Sequence, residues 1–132
     1  MNKKIIYWIP AAMWMTLIFL LTSTPGNTLP SMKMESDKLA HFAVYSVLSY
    51  LLIFALINTV KKEKTFCFFS AFMIAFVYGT MEEYHQLFIP KRYFSYADMY
   101  ANMIGSVAGV LFWHFNPGGH REKLRRILRN IL

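Results

Sequence analysis

The sequence predicts an all-α integral membrane protein: four transmembrane helices, both termini cytoplasmic, and a C-terminal amphipathic helix lying at the interface. Three observations carry that prediction. Of 132 residues, 56% are hydrophobic and only 16% are charged, whereas an ordinary soluble domain carries roughly 25% charged residues. A chain this short has too much surface for its volume to hide so much apolar area in water. The apolar residues also fall into four long runs, and the basic residues sit between them. A net charge of +7 distributed in this way reads as membrane topology rather than as a phosphate-binding patch, so nucleic acid is not an expected partner.

A helix needs about 20 apolar residues to cross a hydrocarbon core of about 30 Å. The first run is Ile5 to Leu21, slightly short and carrying Pro10. It lacks an Ala-x-Ala cleavage pattern, so it is expected to be retained rather than removed as a signal peptide. The second run is Leu39 to Val60, the third extends from near Thr65 to about Tyr84, and the fourth from about Tyr96 to Phe115. Asn116-Pro117-Gly118-Gly119 then stops the helix. From about residue 120 to 132, Leu124, Ile127, Leu128 and Ile131 recur at helical spacing, with Arg125, Arg126 and Arg129 on the other side. Such a helix is expected on an anionic leaflet. There is no repeat and no second domain, so residues 1–132 read as one unit. The lone Cys67 is expected to be a buried, inert thiol.

The basic residues also predict orientation. With the N-terminus inside, Lys3, Lys4, Lys61, Lys62, Lys64, Arg121, Lys123, Arg125, Arg126 and Arg129 lie on the cytoplasmic side. Only Lys33, Lys38, Lys91 and Arg92 lie outside, as the positive-inside rule requires. Five of the seven acidic residues, Glu35, Asp37, Glu82, Glu83 and Asp98, then fall near the outer helix ends. Ionisable groups at membrane depth are costly, and they usually face a bundle interior or a watery cavity.

Helical spacing shows which of them can share a face. Asp37, His41 and Tyr45 form one stripe; Glu82 and Glu83 both reach Gln86; Asp98, Asn102 and Gly105 form another. If these stripes converge, they make a polar pocket opening at the outer leaflet, with Arg92 nearby. Each member also has a plainer reading. Asp37 suits a helix N-cap or first turn, Lys38 can snorkel, His85 can be solvated in a loop, and Asp98 favours the positive end of its helix. Tyr93, Tyr96 and Tyr100 suit an interfacial belt. Gly105 and Gly109 permit close helix packing, inside the chain or across a homodimer, so monomer and homodimer are both open.

The ordered set Asp37-Lys38-Leu39-Ala40-His41-Phe42 with Tyr45, Glu83-Tyr84-His85-Gln86 with Pro90 and Arg92, and Asp98, Asn102, Gly105 and Gly109 resembles the VanZ-like membrane proteins. Thr22-Ser23-Thr24-Pro25 is similar to the Ser-Ser-x-Pro sequence that ends the first helix in that family, with Thr22-Ser23 in place of paired serines. The resemblance implies a four-helix, multi-pass domain in the bacterial plasma membrane. It also implies a link to glycopeptide resistance, teicoplanin in particular, and an action on lipid head groups at the outer face.

Three functions are compatible with these residues. In an enzyme acting on a phosphate-containing lipid or a lipid-linked cell-wall precursor, His41, Glu83 and Asp98 would be catalytic. Asp37, Lys38, Tyr45, Gln86, Arg92 and Asn102 would bind substrate. His41 suits a general base or nucleophile, Arg92 suits phosphate, and Asp98 would pair with Arg92 or His41. No cofactor is required, but a divalent metal could sit on His41, Glu83 and Asp98, with His85 or Glu82 in reserve. The His-Glu-x-x-His pattern of zinc proteases is absent. Alternatively, a non-catalytic protein would bind or shield the lipid-linked precursor or a lipoglycopeptide antibiotic. In the third reading the cluster only joins helix ends.

Overall fold

The computed structural model describes residues 4–28, 34–116 and 118–131. Lys3 and Lys33, used above for orientation, and Pro117 of the helix stop lie outside them. So do the side chains of Glu35, His120, Arg121, Arg125, Arg129 and Ile131. The described chain is helical: a short 3-10 turn at Ile5–Trp8, then α1 (Ile9–Thr22), α2 (Met34–Thr59), α3 (Lys64–Gln86), α4 (Tyr96–Phe115) and α5 (Gly119–Ile131), with a 3-10 turn at Gly26–Thr28.

Local chemistry explains the ends. Pro10 sits in the first turn of α1, where its missing N–H is not needed and its fixed φ suits the helix. Thr22 and Ser23 return their hydroxyls to the Phe19 carbonyl (3.1 and 2.7 Å), which also accepts the Ser23 N–H, and Thr24 returns its hydroxyl to that of Leu20 (3.0 Å), so side chains help satisfy the carbonyls at the end of α1. The second helix starts earlier than its apolar run, at Met34. Asp37 is therefore inside the helix rather than at its N-cap. The third helix likewise continues through Glu83 to Gln86. Ser95 caps α4 by accepting the Asp98 N–H at 3.3 Å.

Three helical spans, Ile5–Thr22, Ser36–Thr59 and Lys64–Gln86, are long and apolar enough to cross a membrane. Although α4 is 20 residues long, it stands outside that set because much of its buried face is polar or small. Asp98, Asn102, Gly105, Ser106 and Gly109 point inward, while Ile104, Val107, Leu111 and Phe112 are exposed. The same reversal marks the rest of the surface. Met13, Leu20, Phe69 and Met81 are each more than half exposed, as expected of a body solvated by lipid rather than water.

The tightest seam joins α2 to α4. A Cβ on Gly105 would lie 2.3 Å from the Phe42 carbonyl oxygen, and one on Gly109 would lie 2.1 Å from that of Ser46. Glycine at both positions is what lets the two backbones meet. Ser46 Oγ donates to the Gly105 carbonyl (2.9 Å) and Ser49 Oγ to that of Ser106 (2.9 Å) across the seam. The glycine face of α4 is thus occupied within the chain. The apolar core, including Leu48, Leu52, Ile53, Phe54, Cys67 and Trp113, fills the end away from the acidic residues. Leu128 of α5 packs onto it, and Lys4 Nζ donates to the Thr59 carbonyl at the same end.

Candidate functional site

The N-terminal ends of α2 and α4 meet beside the C-terminal end of α3. One turn into α2, Lys38 Nζ forms an ion pair with Asp98 of α4 and also contacts Asp37 Oδ2 at 3.3 Å. Asp98 is 7% exposed, so Lys38 supplies the counter-charge that a carboxylate at this depth requires. One turn further along α2, His41 Nδ1 lies 2.9 Å from Asn102 Oδ1. An amide oxygen can only accept, so this bond places a ring proton on Nδ1, and Nε2 is the nitrogen turned away from Asn102. Nε2 faces Asp37 Oδ1 at 3.9 Å.

Glu83 approaches from α3 and has no exposed surface. Its Oε2 accepts the Ser95 N–H (3.1 Å) and its Oε1 accepts from Gln86 Nε2 (3.3 Å). The Ser95 contact has a structural consequence. In a capping box, the acidic residue three positions after the cap reaches back to the N–H of the cap. Here Glu83 takes that N–H, and Asp98, the residue at the third position, is left to hold Lys38 instead.

Tyr45 is 2% exposed and lies over Gly79, where a Cβ would be 2.8 Å from its ring. Its hydroxyl has no hydrogen-bond partner among the described residues. Asn102 Nδ2 borders the same glycine.

Glu82, next to Glu83 in sequence, faces the other way. It accepts a short hydrogen bond from Thr22 Oγ1 of α1, and its Oε2 lies 3.8 Å from His85 Nδ1. The His85 ring stacks on Phe19, with centroids 4.9 Å apart. Glu82 and His85 thus form a second polar cluster on the α1 side.

Arg92 is also drawn to α1. Its Nε donates to the Thr24 carbonyl (3.2 Å) and its Nη2 to that of Leu21 (3.1 Å). The guanidinium complements the negative C-terminal end of that helix. The expected Asp98 pairing with Arg92 or His41 is therefore replaced by pairing with Lys38. The reason is reach: Lys38 lies one turn from the mouth on the helix that packs tightest against α4, whereas Arg92 emerges beside α1.

The structure thus brings together Asp37, Lys38, His41, Asp98 and Asn102, with Glu83 and Gln86 behind Ser95. It places Tyr45 deeper, between α2 and α3, and Arg92 outside the group. Among the described residues, the side chains whose ligand atoms lie close enough to share one ion are Asp37, His41 and Asp98, all within 4.8 Å of one another. The expected metal set contained Glu83 in place of Asp37, but both Glu83 oxygens already accept from Ser95 and Gln86. Two contributors escaped the sequence reading. Ser95 carries a findable signal, the Ser-x-x-Asp spacing to Asp98. Thr22 carries none beyond its place in the Thr22-Ser23-Thr24-Pro25 segment.

A family model described as VanZ/LLP1 matches residues 6–116. No curated protein and no solved structure matches the chain. The match takes in all four long helices and every residue of the polar cluster, and the chain belongs to the VanZ/LLP1 family.

Proposed function

We propose that this VanZ/LLP1-family chain is a multi-pass protein of the bacterial plasma membrane. In this reading α4 crosses as a fourth span, both termini are cytoplasmic, and the polar cluster opens at the outer leaflet. There it acts on the phosphate-bearing head group of a membrane lipid or a lipid-linked cell-wall precursor. Reduced susceptibility to glycopeptides such as teicoplanin would follow from altering what those drugs meet at that surface.

One observation carries this reading. Asp37, Lys38, His41, Glu83 and Asp98 come from three helices and meet at one end of a body whose outer surface is apolar. Placing so many ionisable groups at membrane depth is expensive and marks a site by default. Within it, Lys38 is the group for phosphate. His41, through Nε2, is the acid–base group, and Asn102 fixes its tautomer. Glu83 is a second acid–base group held by Ser95 and Gln86, and Asp98 positions Lys38.

A second, non-catalytic reading is favoured by a specific feature. Both Glu83 oxygens already accept hydrogen bonds, and Lys38 is paired. A cluster in which these two groups are already occupied suits recognition, in which the protein binds or shields the lipid-linked precursor or a lipoglycopeptide.

The test is a mass-spectrometric profile of membrane lipids and lipid-linked precursors, comparing cells that make the intact protein with cells that make His41→Gln at matched membrane levels. A species gained or lost only with intact His41 supports catalysis and identifies the substrate. Identical profiles in strains that still differ in teicoplanin susceptibility establish the binding reading instead.

A further inference from the structure

We infer that the head group received by this cluster carries a cationic amine beside its phosphate, so that a zwitterionic, ethanolamine-type lipid fits and a purely anionic one does not. The inference rests on the lipid reading above and adds the class of head group. It comes from the balance of charge.

Asp37, Glu83 and Asp98 bring three carboxylates to the cluster; against them stand Lys38, paired with Asp37 and Asp98, and the His41 imidazole, whose Nε2 lies 3.9 Å from Asp37 Oδ1. The sequence offered a second cation in Arg92, but its guanidinium is bound to the Leu21 and Thr24 carbonyls. Glu83 is answered only by neutral donors, the Ser95 N–H and the Gln86 amide. His41 gives its Nδ1 proton to Asn102 in either charge state, and even a charged imidazole leaves three carboxylates against two cations. Acid therefore exceeds base, and an anion brought in alone would meet net repulsion.

The arrangement of the charges also suits a dipolar head group. Lys38 lies between Asp98, which is buried, and Asp37, whose side chain is 36% exposed. The more exposed contact, at 3.3 Å, is the weaker of the two. If Lys38 turns from Asp37 to a phosphate, Asp37 Oδ2 is left open one short side chain away, while Oδ1 still faces His41 Nε2 at 3.9 Å. An ammonium on the same head group fills that place. The exchange keeps both Lys38 and Asp37 paired, and no buried charge is stranded.

A divalent ion on Asp37, His41 and Asp98 would answer the same excess of acid, so the test separates the two cations. Purified full-length protein in neutral detergent is titrated by native mass spectrometry with short-chain lipids that share their tails and differ in head group: phosphoethanolamine, phosphocholine and phosphoglycerol. The phosphoethanolamine lipid is expected to bind about tenfold tighter than the phosphoglycerol lipid, the lower end of the effect of one hydrogen bond to a charged group. The preference should be the same with and without EDTA. Asp37→Asn, at a partly exposed position, should remove most of it.

Equal or tighter binding of the phosphoglycerol lipid overturns the inference. A preference that disappears in EDTA also overturns it, by assigning the cation to a metal. If the His41→Gln lipid profile changes while head-group preference is absent, the proposed function stands and only this inference falls. If none of the three lipids binds, this inference falls, and the proposed function is left with a lipid-linked precursor as its ligand, read from the His41→Gln profile.

Discussion

Glu82 and Glu83 are neighbours in sequence, yet they end in different kinds of surroundings. Successive helical residues point about 100° apart, and on α3 that angle is enough to send one carboxylate toward α1 and the other toward α4. Glu82 meets, at 3.8 Å, a histidine of its own helix and a threonine hydroxyl of α1, a helix held by scattered polar ties such as Trp14 Nε1 to the Val44 carbonyl and Tyr78 OH to that of Met15. Glu83 meets the capped end of a helix that is locked to α2 by glycines and serines. Both sides pair an acid with a histidine. Only the α4 side sets them on a seam that cannot shift, and a site that must hold reacting groups in place needs that kind of support.

The sharpest way to break this comparison is to force the seam apart. In Gly105→Val the new Cβ would stand 2.3 Å from the Phe42 carbonyl oxygen. That oxygen is backbone and cannot rotate away, so the helices must separate. The expected cost is about 3 kcal/mol, the upper range for overpacking, read by unfolding in mixed micelles of increasing SDS fraction. Gly79→Ala meets the ring of Tyr45 rather than backbone, so the same measurement should show a smaller loss. Equal losses would mean that the α2–α4 contact is no more rigid than the rest.

How much of this was legible in the sequence depends on the kind of feature. The fourth helix was legible to its ends, because its apolar run begins at Tyr96 and Asn116-Pro117-Gly118-Gly119 is a chemical stop sign; the Ser95 cap went unread but marks the same start. The second was not, because an apolar run marks where lipid begins and not where the helix does; the turn holding Asp37 and Lys38 is helical and polar. The membership of the cluster was mostly visible, since i, i+4 spacing alone joins Asp37 to His41 and Asp98 to Asn102. Its pairings were not. Whether Lys38 or Arg92 meets Asp98 depends on the rotation of helices about one another, which no local pattern records.

Those pairings can be tested directly, with the second largest effect. Lys38→Met removes the partner of a buried carboxylate and should cost about 2 kcal/mol. This lies below the usual range for breaking a buried pair because the Lys38 side chain is itself 28% exposed. Adding Asp98→Asn removes the stranded charge, so the double variant should recover much of the loss. The measurement is a double-mutant cycle in the same SDS titration. Strictly additive losses would show that the two residues do not interact.

The smallest effect belongs to the α1 side. Thr22→Val removes the hydroxyl that donates to Glu82 and leaves a carboxylate that is 5% exposed short of a donor. A hydrogen bond to a charged group is worth about 1.5–3 kcal/mol, but α1 lies along one flank of the bundle and can adjust to let His85, now 3.8 Å away, close on Glu82. The net loss should therefore be about 1 kcal/mol, and Thr22→Ser, which keeps the donor, should restore it. The more telling readout is the bound-lipid titration, where head-group preference should stay unchanged in Thr22→Val. A shift in that preference as large as the one expected from Asp37→Asn would mean that the two acidic neighbourhoods act as one site, joined through the buried Tyr45 ring between α2 and α3, and the contrast between Glu82 and Glu83 would fall with it.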